Sequence, residues 1–198
     1  MLSVWWGVKG TIYWELLPDG CTVTTDLYCQ HLDRVAQKLK GKQDRVYLHD
    51  NARLHVAKST SEKLLNLGWV IIPHPPYSRD LAPTDYHLFR SLSNHLREKK
   101  FDDESNLETD LTDFFSQKSL DFYERGIFSL PERWRQVVDS DGALVAEPPG
   151  GCGELSPHRS VEPPTGDFTQ SDILTLVRQE HPSSTGFERE RLFMILEN

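Results

Sequence analysis

Two aspartates stand where the chemistry of this chain could lie. The stretch YLHDNARLH, residues 47–55, runs from apolar residues straight into the carboxylate of Asp50, and Asp85 follows with 34 residues between them. Asp50 ends a strand-like run, and Asp85 falls in the first turn of a helix-like one. Acids at such positions can hold the hard divalent cations used in phosphoryl transfer, because ligand groups in open α/β sheets gather beyond the carboxyl ends of strands. The same two residues also suit a plainer role, in which Asp50 opens a turn and Asp85 complements a helix dipole. Spacing alone leaves both readings open. His49, His55, His74 and His87 share the region, but their spacing matches neither a zinc finger nor HExxH, so zinc is not indicated. Ser78 with Asp80 and a nearby histidine lacks the GxSxG elbow of a hydrolase.

The flanking elements have to position these groups. Leu2 to Trp6 and Thr11 to Leu17 are β-prone runs around a Lys9-Gly10 turn, which predicts a hairpin. Thr24 or Thr25 caps a helix with apolar residues at Leu27, Leu32, Val35, Ala36 and Leu39. Arg45 to His49 is a short buried strand, Ala57 to Leu67 an amphipathic helix capped by Gly68, and Trp69 to Pro73 the next strand. Strands alternating with helices imply a mixed sheet with parallel neighbours. A Pro-rich loop over 74–83 leads into a helix that Thr84 would cap, running to about Lys99. Further helices are expected over Asp103 to Ser116, Ser119 to Arg125 and Pro131 to Val138. Trp5, Trp6 and Trp14 fit the core and sheet faces better than DNA stacking.

At 198 residues the chain can bury a core as one domain with an appendage. Residues 1–143 form the expected domain. Residues 144–198 are an acidic tail, rich in Pro and Gly over 147–167, and burial there cannot recover the entropy of ordering, so the tail is expected to be largely disordered. Two helical stretches, Asp172 to Glu180 and Glu188 to Leu196, are expected within it. The formal net charge of -8 argues against a surface devoted to nucleic acid, yet residues 34–63 are locally basic through Arg34, Lys38, Lys40, Lys42, Arg45, Arg53, Lys58 and Lys63. Cys21, Cys29 and Cys152 show neither a disulfide framework nor ligand spacing, which suggests a reducing compartment. No apolar run approaches membrane-spanning length, and the start lacks a signal-peptide pattern, so a soluble intracellular protein is expected.

Three stretches carry a more specific signal: HDNARLH, PHPPYSRDLAPTDYHLF and FYERGIFSLPERWRQVVDSDG. Together with the spacing of the two aspartates they resemble the catalytic domain of mariner-family DNA transposases, in the Tc1/mariner superfamily, from the first residue to about Ala143. The resemblance implies an RNase H-like mixed sheet with flanking helices and a nuclear location. It also implies strand cleavage and joining at transposon ends, with Mg²⁺ or Mn²⁺ held by three carboxylates of which Asp50 and Asp85 would be two. His49, Asn51, His55 and His87 would then lie near the metals or the DNA, although a turn-forming role, or one supporting the metal-binding residues from behind, suits Asn51 and His55 at least as well. Lys38, Lys40, Lys42, Arg45, Arg53, Lys58 and Lys63 would contact nucleic acid, weakly and without sequence preference. A second copy of the chain is a further candidate partner, and no membrane is expected.

The chain also departs from that family's pattern. The resemblance places the first catalytic Asp on an earlier, central strand in a TGDE-like motif, and this sequence starts after it, so the sheet is expected to lack its first strand and the opening hairpin its neighbour. The paired helix-turn-helix modules that read inverted repeats are not found either. Leu54 and Arg79 stand where the resembling motifs have Pro. These departures point to a transposase remnant that is inactive as a lone chain. The alternative is a non-catalytic nucleic-acid-binding or protein-interaction module. Domains of this family occur fused to SET methyltransferases, but nothing here looks like a SET domain and methyl transfer is not expected.

Overall fold

The structure, a computed structural model, describes residues 1–39, 45–75, 78–140 and 192–197, the last as backbone. Lys40 and Lys42, the Pro/Gly-rich segment 147–167 and the expected helix over 172–180 lie outside the described residues. No helix among the described residues is long and apolar enough to cross a membrane.

The expected hairpin forms from β1 (Leu2–Gly7) and β2 (Gly10–Leu16), antiparallel, with Gly10 at φ 113 making the turn that a side chain would strain. Next comes α1 (Thr25–Lys38), whose N-cap Thr24 accepts a hydrogen bond from the Leu27 amide. Strand β3 (Val46–Leu48) leads through the Asp50 loop to α2 (Lys58–Leu67), which ends on Gly68 in the left-handed conformation, and then to β4 (Val70–Ile72), parallel to β3. Up to this point the expected elements are present within a residue or two.

The segment after β4 departs from expectation. Instead of one helix capped by Thr84, a 3-10 turn (Arg79–Leu81) is followed by a π-helical stretch (Thr84–Phe89) that continues into α3 (Arg90–Leu96). Thr84 is buried and makes no cap; its hydroxyl accepts a hydrogen bond from the indole N–H of Trp6 at 3.0 Å. Three helices follow: α4 (Glu104–Gln117), α5 (Leu120–Phe128) and α6 (Leu130–Asp139), the first two capped by Asp103 and Ser119.

The largest correction concerns the C-terminal stretch, where a helix was expected over Glu188 to Leu196. Residues Leu192–Glu197 instead form β5, in the middle of a five-stranded sheet of order β2-β1-β5-β3-β4. It runs antiparallel to β1 and parallel to β3. The run LFMIL is apolar without alternation, as a strand covered on both faces should be; a short run of that kind cannot be told from a buried helix by periodicity. Among the described residues, a strand from the far end of the sequence occupies the centre of the sheet.

Alternation along β1 builds the two layers. Val4 and Trp6 join Leu48, Ile72, Leu88, Phe114, Tyr123 and Ile127 on one face, under the π-helical stretch and α3 to α6. Trp5 joins Tyr28, Leu32, Tyr47 and Leu64 on the other face, under α1 and α2. Trp5 and Trp6 are fully buried and Trp14 packs at the edge of the first cluster, as a core role requires.

Candidate functional site

Asp50 leaves the end of β3 and folds the loop around itself. Its Oδ1 accepts from the Ala52 amide at 2.9 Å and from Nδ1 of His55 at 2.5 Å. The first contact is the turn-forming role that Asp plays at loop starts. Burial works against the charge of Asp50, but the hydrogen bonds from His55 and Ala52 outweigh it and hold the carboxyl below its ordinary range. His55 is itself buried against the ring of Tyr28, at a centroid distance of 4.5 Å. Asn51 donates to the carbonyl of His74 at 2.6 Å and so braces the loop after β3 against the loop after β4. Asn51 and His55 thus make turn and loop-to-loop contacts.

His49 is buried, and its Nδ1–H donates to the Asp50 carbonyl at 2.6 Å. Burial, with a smaller push from His55, moves the imidazole down to about 4. It is neutral at physiological pH. His74 occupies the corresponding position after β4 and also has its basicity lowered by burial, although the charges of Asp50, Asp85 and Asp80 pull the other way. The ends of β3 and β4 and the start of the π-helical stretch thus converge on this one ring. Sequence reasoning did not select His74 as a site residue, yet the strand-end signal that picked out Asp50 applies to it equally.

Asp85 is positioned by the third motif. The Tyr86 hydroxyl donates to the carbonyl of Gly126 at 2.7 Å and accepts from Ser129, the Arg133 guanidinium lies 3.8 Å over the Tyr86 ring, and Arg133 also donates to the carbonyl of Asp80. The segment FYERGIFSLPERW is therefore the clamp that holds the Asp85 helix against the sheet. The Asp85 carboxylate pairs with the guanidinium of Arg79 at 3.0 Å. Arg79 is one of the two positions where the resembling motifs have Pro. His87, two residues on, donates to the Phe122 carbonyl at 2.8 Å and packs between Phe122 and Trp6; its contacts are those of a packing residue.

A pair of divalent ions carries about four positive charges and needs dense anionic ligation. Here each candidate aspartate is already engaged, Asp50 by His55 and the Ala52 amide, Asp85 by Arg79. No group of three His, Cys, Asp or Glu side chains among the described residues could hold a metal ion. The donor set as arranged does not fit two metal ions.

The expected nucleic-acid residues are scattered in role. Arg45 is buried, Lys63 pairs with Asp33 at 2.6 Å, Lys58 faces Glu62 at 3.8 Å, and Lys38 lies over the Tyr13 ring at 5.2 Å. Arg53 is exposed.

The mixed sheet layered by helices matches solved transposase catalytic domains, which places the chain in the RNase H-like class. Comparison with known proteins agrees. A family model described as "Transposase (partial DDE domain)" matches residues 1–48. The chain is similar to the Mariner Mos1 transposase of Drosophila mauritiana, 43% identical over 153 residues, which is 73% of this chain and 44% of that protein. It is also similar to the Histone-lysine N-methyltransferase SETMAR of Homo sapiens, 41% identical over 150 residues, 72% of this chain and 22% of that protein. The chain thus spans less than half the length of either. Among solved structures, the Mos1 catalytic domain with Raltegravir and Mn matches at a TM-score of 0.71 and 42% identity, covering 74% of this chain and 77% of that one. The Mos1 Strand Transfer Complex matches at 0.71 and 44%, covering 74% and 44%. The chain belongs to the mariner transposase family, within its catalytic domain.

Proposed function

We propose that this chain is a mariner-type transposase catalytic domain that does not cleave DNA by itself, its ancestral reaction being metal-dependent cleavage and transfer of DNA strands at transposon ends. Solved structures of its Mos1 relatives carry Mn or Mg and transposon ends, which supports divalent-metal phosphoryl transfer as the ancestral chemistry and a nuclear site of action. The observation that carries the loss of activity is the Arg79–Asp85 ion pair, which places a cation beside one of the two candidate metal-binding acids.

The test is conversion of supercoiled plasmid to nicked circles by the purified chain in Mg²⁺ or Mn²⁺. No conversion above an Asp50→Ala control is expected. Metal-dependent nicking that Asp50→Ala abolishes would overturn the proposal. The second reading, a binding module, rests on Arg53 and the remaining basic residues of 34–63 and predicts salt-sensitive, sequence-independent DNA binding. Filter binding at two salt concentrations decides it, since no retention at low salt removes the idea.

A further inference from the structure

The centre of the sheet is supplied from a distance. Strand β1 pairs with β2 on one edge, and on the other its residues Ser3–Gly7 pair with Glu197–Phe193 of β5. Strand β3 pairs with β4 on one edge and, over Val46–Leu48, with Leu192–Met194 on the other. Without β5, strands β1 and β3 would face each other across two strand spacings, about 9–10 Å. Each would present an unpaired row of N–H and C=O groups, which a fold tolerates poorly in its interior. The strands bordering that slot lie in the core: Val4, Trp5, Trp6 and Tyr47 are fully buried and Leu48 nearly so.

The last described residue before β5 is Ser140. The roughly fifty residues between have a contour length of about 170 Å, several times the width of a domain this size, so chain length alone does not tie the strand to its own sheet. Strand pairing is made by backbone, so the same ladder forms whichever copy of the chain donates it. Exchange of an identical element between protomers is a low-cost route to a dimer.

We propose that the slot between β1 and β3 is a strand-accepting site, filled by residues 192–197 of the same chain and open to the same strand of a second copy. A tether of roughly fifty residues supplies at most about millimolar effective concentration. In dilute solution the chain's own strand therefore wins, and exchange grows as protein concentration approaches that value. The partner is a second copy of this chain, joined by reciprocal exchange of β5. This assembly does not depend on whether the domain cleaves DNA.

Two measurements on the full chain test it. Amide exchange of the unaltered protein should show residues 192–197 protected at least about a hundredfold over an unstructured peptide, together with the amides of β1 and β3. For exchange between copies, one copy carries Val4→Cys and another Leu196→Cys, with Cys21, Cys29 and Cys152 replaced by Ser in both. Val4 and Leu196 are Cα partners across the antiparallel ladder, within disulfide range. Co-incubated at a few hundred micromolar and oxidised, these copies should form an interchain disulfide at least about tenfold more abundant than the out-of-register pair Val4→Cys with Phe193→Cys, and the yield should fall on dilution. Sedimentation of the unaltered chain needs no substitution and should show a dimer fraction that rises over the same range. Rapid exchange of 192–197 overturns the proposal, and so does an unaltered chain that stays monomeric at the highest concentration. Equal yields from the in-register and out-of-register pairs overturn it too.

Discussion

Gly126 lies where α5 crosses the Asp85 helix, and the space it leaves is already filled. A Cβ placed there would lie 2.5 Å from Cδ2 and 2.9 Å from Cγ of His87, and 3.0 Å from the Trp6 ring. Carbon atoms prefer about 3.5–4.0 Å, so the overlap approaches 1 Å. The imidazole cannot swing away cheaply, because it packs against Phe122 at 4.2 Å between centroids and donates to the Phe122 carbonyl at 2.8 Å. Gly126→Ala should therefore cost about 1–3 kcal/mol from overpacking, and about 1 kcal/mol more if the His87 bond breaks. The helix propensity of Ala over Gly returns about 1 kcal/mol, leaving a net loss of about 1–3 kcal/mol with that bond broken. Urea unfolding reads it as a lower midpoint at unchanged slope. His87→Ala opens the space, so in that background Gly126→Ala should cost less than in the native chain by at least about 1 kcal/mol. A Gly126→Ala protein as stable as the native one, or a cycle showing no coupling, would refute the assigned contact.

Three other outcomes are expected. Arg79→Ala should change stability by less than about 1 kcal/mol, since Arg79 is 74% exposed, yet tighten Mn²⁺ binding at least about fivefold, because a unit charge at about 4 Å is worth about 1 kcal/mol even in water; unchanged affinity by calorimetry would show that the pair does not oppose a metal. Trp6→Phe removes the buried bond to Thr84 along with part of the ring and should lower unfolding stability by about 2–4 kcal/mol, against which a loss below 1 kcal/mol would count. Burial alone would raise the Glu15 carboxyl, but hydrogen bonds from Tyr13 and charge from Arg34 and His31 hold it below its ordinary 4.5. A depressed acid stabilises above its unfolded pKa and loses that contribution as pH falls through the folded one, so Glu15→Gln should flatten the acid side of the stability profile below about pH 4.5; an unaltered profile would remove the assignment.

What the sequence determined by itself was mostly local. Thr24 before an apolar helical pattern and Gly68 after one each mark a boundary through a few neighbouring backbone groups, and those boundaries stand in the structure. Motif and spacing marked Asp50 and Asp85, and the FYERGIF segment could be recognised without knowing its task. Tertiary structure decided that task, because the bond from Tyr86 to the Gly126 carbonyl spans forty positions. It also decided that Asp85 faces Arg79, that Thr84 serves Trp6 and not a helix end, and that His87 is packing. The centre of the sheet lay furthest from a local reading. LFMILE carries no period that separates strand from helix, and what makes it a strand is the pair of open edges on β1 and β3, more than 140 residues away in the chain. A backbone ladder is completed by whatever segment reaches it, so its donor is settled by which edges the rest of the fold leaves unpaired.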